Sequence, residues 1–550
     1  MKNRIFKRYR WWLFLGVFAF VCSLVFVRVY NRTIFPFPET GDDAYYFAYT
    51  EAFVRNHTLT WCGTPLHFKL LSICHVPTGE TEVRNNYNHY AMGGPLLMLP
   101  VTAFGWMLHK AGIFSVSAID PLLFWAVIGV YVVFVLSLIL LFELAFLILK
   151  NERRAFLSTL AISIGNPAIF YVFRRPLMVH SQEVFVAVAF LFFAYKWWMA
   201  KEKRELWAAS FGFAAGFIFL TRINDAFMVG MGGLVLFFGN VRSMRGRLRN
   251  LVAYGAGVSI SVGLFFYNQF SQTGSFAFHP DKYDYATAQI SFFEFHLFNL
   301  RRYADFFFGT HWGMFPLLPI LFLEAAVIIE AWAYWVDVAK RYKWMFASIF
   351  LVVLFQINFL ANYPTNSMSY SNRYLVVFIY FIHGLFLVSW AKVPDLWRAK
   401  KTLVKITAAF MIFLGALNML NFESRQEHLS FQPGKIEDEG IYDPRFKNNQ
   451  FIRAPHFAEY SLLYSLSGRA VANIAVSPLV AYPYFSFRSL NLSVPGEEKL
   501  ATYYTRQRQI YSLADVEVMV KYHLVLLAIL GLIFAPLLFW RREIFAGGKG

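Results

Sequence analysis

Twelve apolar runs, each close to the length that crosses a bilayer, constrain this chain more than any other feature. They fall at residues 11–29, 119–149, 155–173, 177–198, 206–221, 224–240, 250–269, 313–336, 344–362, 374–391, 402–420 and 522–540. A helix needs about 20 apolar residues to span the hydrocarbon core. Composition agrees: 58% of residues are hydrophobic and 15% charged, against about 45–50% and about 25% in soluble domains. These figures exclude a disordered chain, a collagen-like repeat and a small disulfide scaffold. The expected fold is an all-α polytopic membrane protein of about 12 transmembrane helices.

Direction follows from the basic residues. The first run comes after Lys2, Arg4, Lys7, Arg8 and Arg10, and Arg28-Val-Tyr-Asn lacks the small-residue site of a cleaved signal. An uncleaved first helix with a cytoplasmic N-terminus follows. Alternation then places the loops near residues 150, 200, 245, 340 and 398, and the C-terminus, on the same side. Those segments carry more positive charge than the chain's total of +18, so the remainder is net negative. The basic balance is therefore a topology signal, and it gives no reason to expect nucleic acid. Met92 to Ala111 is also apolar, but counting it as a span would invert every later loop and put Arg153, Arg154 and the Arg242–Arg249 cluster outside. It is expected to be a juxtamembrane helix, interfacial or partly inserted on the outer face, and to bear on membrane lipids.

The polar sequence then lies outside, in loops 30–118 and 270–312 and in a segment 421–521. Residues 1–420 form the membrane module, 421–521 a small α/β or mixed extracytoplasmic segment, and 522–550 the last span and tail. Ala470 to Val476 and Ser486 to Val494 read as strands in that segment. There is no internal repeat, and no pair of broken helices of the inverted-repeat transporter kind. Cys62 and Cys74 share the first outer loop, where a disulfide is permitted but spacing alone does not decide it.

Chemistry concentrates at the outer ends of the helices. Gly41-Asp42-Asp43-Ala44-Tyr45-Tyr46 follows the first span. Asp42 and Asp43 suit a helix N-terminus, and a carboxylate fixed there can also serve as general base for a hydroxyl. Arg174-Arg175-Pro176-Leu177-Met178-Val179-His180-Ser181-Gln182-Glu183 is the second cluster. His180 and Glu183 lie three apart and share a helix face, while Arg174 or Arg175 offers Glu183 a structural partner. Arg222 in Leu-Thr-Arg-Ile-Asn-Asp, Arg301, Arg302, and Arg373 in Ser-Asn-Arg-Tyr recur on the side where basic residues are depleted. Snorkelling and helix capping account for any one of them; as a set they suit phosphate, because a guanidinium fork binds two oxygens. The second outer loop holds His279, Asp281, His296 and His311, oxygen and imidazole donors compatible with a divalent cation but in no zinc-site spacing. No phosphate-binding G-x-x-x-x-G-K-[ST] loop and no G-x-S-x-G elbow is present, which argues against ATP hydrolysis and the usual serine hydrolase.

Together these features resemble the GT-C membrane glycosyltransferases, the class of dolichyl-phosphate-mannose–protein mannosyltransferases and bacterial lipid A aminoarabinose transferases. Asp42-Asp43-Ala44-Tyr45-Tyr46 matches the acidic motif after the first helix, and Asn88-His89-Tyr90-Ala91-Met92-Gly93-Gly94-Pro95-Leu96-Leu97 is similar to the run entering the second juxtamembrane helix. Pro176-Leu177-Met178-Val179-His180 looks like the second outer motif of bacterial members, and Tyr267-Asn268-Gln269-Phe270, His311-Trp312-Gly313-Met314-Phe315-Pro316 and Asn372-Arg373-Tyr374 extend the likeness. Where the aminoarabinose transferases carry Lys-Pro-Pro-Leu, this chain has Gly94-Pro95-Leu96.

The resemblance implies inverting transfer of a sugar from a polyprenyl-phosphate donor to a hydroxyl on a glycan, lipid or protein, with no required cofactor. Asp42, with Asp43 as alternative, would be the base; Arg222, Arg373 and Arg174 or Arg175 would hold the donor phosphate. His180, Glu183, Tyr45, Tyr46, His311 and Trp312 would contact substrate. A flippase of lipid-linked saccharides is the competing expectation, and a polymerase or ligase of another membrane fold a third. Against the flippase, the spans are nearly free of polar residues, with Glu143 and Glu324 the notable exceptions, and the ionisable groups cluster at the outer ends. The bacterial look of the second motif favours a bacterial inner membrane; sequons at Asn31, Asn56 and Asn491 would be used if the protein resided in the endoplasmic reticulum.

Overall fold

The computed structural model describes residues 2–27, 42–57, 91–116, 119–164, 166–241, 243–273, 300–308, 314–362, 375–393, 402, 405–417, 474, 477–493 and 513–546. All regular structure among them is helical. The first half comprises α1 (Lys2–Phe26), α2 (Asp42–Asn56), α3 (Gly93–Lys110), α4 (Pro121–Leu149), α5 (Glu152–Ser163) and α6 (Pro167–Arg174). α7 (His180–Met199), α8 (Arg204–Thr221), α9 (Phe227–Phe238) and α10 (Met244–Thr273) follow. The second half comprises α11 (Leu300–Phe308), α12 (Met314–Leu317), α13 (Ile320–Glu330), α14 (Trp332–Arg341), α15 (Lys343–Asn362) and α16 (Val376–Lys392). Then come α17 (Lys405–Leu417), α18 (Pro478–Ser489) and α19 (Leu513–Ala546).

Helix is present within every one of the twelve expected runs. Four stretches, Arg8–Phe26, Pro121–Leu149, Met244–Ser271 and Lys343–Ala361, are long and apolar enough to cross a membrane; α9, α16 and α17 are shorter apolar helices. Two runs expected to be continuous are broken. Residues 155–173 divide into α5 and α6, because Pro167 has no N–H to continue the ladder and pushes Asn166 to an extended ψ of 136°. The Asn166 side chain then caps the new helix, accepting from Ala168 N at 2.9 Å. Residues 313–336 divide at Pro319 and again at Ala331, beyond which α14 has no buried residue. The strand expected over Ser486–Val494 is also corrected. Its first residues complete α18, whose last turn closes through Leu490 N to Ser486 O at 3.2 Å. The strand expected over Ala470–Val476, Ile474 apart, lies outside the described residues, as do most of 421–521 and both Cys62 and Cys74.

Apolar side chains meeting inside lipid gain no transfer energy, so close backbone approach and interhelical hydrogen bonds must hold such a bundle. α8 and α10 pack in this way. A Cβ on Gly257 would stand 2.1 Å from Ala209 O and 2.6 Å from Phe213 N, so only glycine lets these helices close. Hydrogen bonds supplement the packing: Tyr254 OH donates to Val229 O at 2.7 Å, Tyr195 OH to Leu147 O at 3.0 Å, and Trp335 Nε1 to Ser389 Oγ at 2.9 Å. Glu143 and Glu324 are both partnered. Glu143 pairs with Arg8 and accepts from Trp12 Nε1 at 3.1 Å, tying α1 to α4, and Glu324 meets His383 Nδ1 at 2.6 Å between α13 and α16.

The Met92–Ala111 run is α3, whose buried face is Gly93, Gly94, Pro95, Met98, Thr102 and Gly105. It packs along the start of α4 and reaches α7 and α8 with its N-terminus. That placement brings α3 to the end of the bundle where α2, the α6–α7 turn and the α8–α9 turn converge.

Candidate active site

α2 begins with the acidic pair. Asp43 is buried, and its Oδ2 accepts from both Nε and Nη2 of Arg175, at 2.8 and 2.7 Å. Arg175 sits at the C-cap of α6, so the Pro167 break decides where the guanidinium arrives. A charge-assisted pair of this geometry anchors the N-terminus of α2 to the α6–α7 turn across 132 residues of sequence. The middle of α2 is held by Asn268 Nδ2 donating to Tyr49 OH at 3.2 Å, from α10. Its C-terminal end is held by Arg55, which pairs with Glu51 and donates to both oxygens of Asp120, at 2.7 and 2.6 Å. Asp120 in turn caps α4 by accepting from Leu122 N at 2.8 Å, and Arg55 lies 5.0 Å over the Trp106 ring of α3. The helix carrying Asp42 is thus fixed at three points.

Five residues beyond Arg175, α7 opens with the second cluster. His180 Nδ1 donates to Glu183 Oε2 at 3.1 Å, the i,i+3 contact expected on one helix face, and the Tyr171 ring of α6 stands 4.8 Å from the imidazole. Glu183 Oε1 accepts from Arg222 Nη1 at 3.3 Å. Arg222 is the C-cap of α8, 8% exposed, and leads into a single 3-10 turn, Ile223–Asp225, that stands between the two apolar helices α8 and α9 and belongs to neither. Asp225 N donates to Arg222 O at 3.1 Å and closes that turn, and Asp225 is buried. Gly93 seals the side of the site: a Cβ there would lie 2.6 Å from Thr221 N, so α3 touches the end of α8 directly.

Of the residues named from the sequence, His180, Glu183 and Arg222 come together, and Asp43 and Arg175 form their own pair one turn away in sequence from His180. The sequence offered Arg174 or Arg175 as partner for Glu183; Arg222 places a guanidinium on Glu183, and the Arg174 side chain lies outside the described residues. Tyr46 is buried and Tyr45 half-buried in α2. The side chains of Asp42 and Arg174, and residues Arg373, His311, Trp312, His279 and Asp281, lie outside the described residues. Among the described residues no three His, Cys, Asp or Glu side chains gather in a metal-binding group. Sequence reasoning missed Asp225, Asn268 as the partner of Tyr49, and the Arg55–Asp120 clamp. The first signal was available, since Asp225 ends the Leu-Thr-Arg-Ile-Asn-Asp run and a three-residue turn returns it to Arg222.

No protein-family model and no curated protein matches the sequence. Two solved structures from Archaeoglobus fulgidus are similar. One is an oligosaccharyltransferase in its apo form, at 13% identity and a TM-score of 0.43. The other is the oligosaccharyltransferase AglB in complex with an inhibitory peptide and a dolichol-phosphate, at 12% identity and a TM-score of 0.39. In both cases the match covers 85% of this chain and 64% of the other.

Proposed function

We propose that this chain is a membrane glycosyltransferase that moves a sugar from a polyprenyl-phosphate donor to a hydroxyl acceptor, inverting the anomeric carbon. The observation that carries the reading is the convergence at one end of the bundle. An acidic helix start, pinned at three points, adjoins a buried His180–Glu183–Arg222 cluster built from two other helices. Transfer between two bound substrates needs a base aimed at the acceptor and cationic donors aimed at the leaving group.

In this reading the Asp42 carboxylate takes the acceptor's proton as its oxygen bonds to the anomeric carbon. The bond from that carbon to the phosphate oxygen breaks, and its electron pair remains on the lipid phosphate. Arg222 and Arg373 stabilise the departing charge, and His180 and Glu183 orient Arg222 and the sugar. Asp43 is committed to Arg175, which leaves Asp42 the better base and makes Asp43 the residue that aims it. Tyr45, Tyr46, His311 and Trp312 supply faces for the sugar. A divalent cation at His279 and Asp281 is an addition that the mechanism does not require. The acceptor is a glycan, lipid or protein on the extracytoplasmic face, and the positive-inside pattern orients the site outward from a bacterial inner membrane.

The test is transfer from a panel of radiolabelled polyprenyl-phosphate sugars by membranes holding the wild type or Asp42→Asn. Label reaching lipid, glycan or protein with the wild type, and reduced at least about 10²-fold by the substitution, supports the reading. Full transfer by a folded Asp42→Asn protein removes the base assignment.

A further inference from the structure

α8 and α10 run side by side in the same direction. Gly212 meets Tyr254, Gly257 meets Ala209 and Phe213, and Gly216 meets Val258 and Ser261, so the pairing climbs both helices in step. Their N-termini therefore share one end of the bundle, about 27 Å along α8 from Arg222. It is the end that the positive-inside pattern assigns to the cytoplasm. Two helix N-termini side by side favour an anion or acidic side chains. The sequence supplies the opposite: residues 201–205 and 244–250 hold six Lys and Arg against Glu202 and Glu205. Among the described residues no carboxylate forms a salt bridge with any of the six.

α8 is also uncapped. Its N-cap, Lys203, sits at φ 54° and offers no side-chain acceptor, so the first amides of the helix have no partner within it. Arg204, the first residue of α8, sets its guanidinium carbon 5.7 Å over the Trp197 ring. Trp197 is fully buried, and among the described residues neither its Nε1 nor Arg204 Nε has a hydrogen-bond partner. Such a buried indole N–H is ordinarily bonded. Asn240, whose Nδ2 donates to Trp198 O at 2.9 Å, leaves its Oδ1 unbonded at the same end. Uncapped amides, a guanidinium and an unmet indole N–H suit an oxyanion, and the amide oxygen suits a hydroxyl. The apolar residues indicate its source. Met199, Leu206, Met244 and Leu248 are exposed among the basic ones. A soluble anion gains nothing from them, whereas a lipid brings acyl chains to them and phosphate to the cations.

We propose that the paired N-termini of α8 and α10 bind the headgroup of an anionic glycerophospholipid from the cytoplasmic leaflet. Arg204 turns toward the phosphate, which reaches the first amides of α8 and the Trp197 N–H that the guanidinium overlies. Arg245 and Arg249 add charge at the rim, and Asn240 takes a headgroup hydroxyl. Arg247 is engaged otherwise, its Nε donating to Val241 O at 2.7 Å and holding the α9–α10 turn. This site does not rest on the transferase reading, which concerns the other end of α8.

The experiment measures binding of dioctanoyl phosphatidylglycerol to the delipidated full chain in neutral detergent, by native mass spectrometry. Dioctanoyl phosphatidylcholine and glycerol 1-phosphate are the comparisons. Phosphatidylglycerol should bind at least about tenfold more tightly than either. Arg204→Gln and Arg245→Gln should each raise its Kd about fivefold. Trp197→Phe keeps the ring and removes the N–H, and should raise it about threefold or more. Arg245 is exposed, so its variant carries the test if Arg204→Gln does not fold. Arg341→Gln, on exposed α14 at the same side, should leave Kd unchanged. Equal affinity for the two lipids overturns the proposal, as does wild-type affinity in Arg245→Gln or Trp197→Phe. An equal loss in Arg341→Gln overturns it too, by making the attraction a property of the whole basic surface. Glycerol 1-phosphate binding as tightly as the lipid would make the ligand a soluble phosphate instead. Binding is read directly, so a protein that transfers no sugar leaves each of these outcomes intact.

Discussion

Removing Arg175 should loosen α2 far more than it loosens the bundle. The guanidinium gives two N–H bonds to one oxygen of a buried carboxylate, at 2.8 and 2.7 Å. Arg175 itself is 31% exposed, so solvent screens part of the interaction. A fully buried pair broken on one side costs about 3–5 kcal/mol, and an exposed one costs less than about 1 kcal/mol. The intermediate geometry places Arg175→Gln near 2 kcal/mol, or about a 30-fold change in a local opening equilibrium. Native-state amide hydrogen exchange in detergent reads this directly, because opening of α2 exposes its own amides. Amides from Ala48 to Phe53 should exchange about 30-fold faster, while those of α4 and α8 stay as they were. Asp43→Asn with Arg175→Gln together should be no worse than Arg175→Gln alone, since the stranded charge is gone. If α2 exchanges at the wild-type rate in Arg175→Gln, or if α4 and α8 accelerate equally, the anchoring argument is wrong.

Other predictions follow from the same geometry. Arg55→Ala deprives both Asp120 and Glu51 of their cation, and should cost about 2–3 kcal/mol, seen as a lower thermal midpoint and faster exchange at the C-terminal turn of α2. Gly257→Val drives a side chain into Ala209 O and should abolish the α8–α10 contact, reducing the monodisperse fraction on size exclusion; Gly255→Val, where nothing lies within 4 Å, should not. Glu324→Gln leaves His383 a neutral partner, whereas Glu324→Ala strands a buried imidazole. The second should lower the thermal midpoint more, and Glu324→Leu with His383→Leu should recover most of the loss.

Apolar periodicity told where helices lie because about 20 uncharged residues in a row have few alternatives, and helix is present in each of the twelve runs. It did not tell where they break. The break at Asn166–Pro167 was written in the residues, but a proline inside an apolar run is tolerated wherever neighbouring helices satisfy the freed carbonyls. The strand expected after Ser486 failed because alternation over a few residues is also compatible with the last turn of a short helix. At the site, His180 with Glu183 was legible, being an i,i+3 pair. Arg222 with Glu183 was not, because 39 residues and a whole helical hairpin separate them. The role of Asp43 was hidden for the same reason: its partner lies on α6, and only the broken helix delivers Arg175 to it.

The central claim is that the bond between sugar and lipid phosphate is cleaved at this site. Purified protein in proteoliposomes, given a polyprenyl-phosphate sugar labelled with tritium in the sugar and phosphorus-32 in the phosphate, tests it most directly. The account predicts that tritium passes to the acceptor while phosphorus-32 stays on the lipid, one released lipid phosphate for each sugar transferred, and that Asp42→Asn halts both. If the two labels stay together and merely change sides of the membrane, the protein moves lipid-linked sugars rather than transferring them.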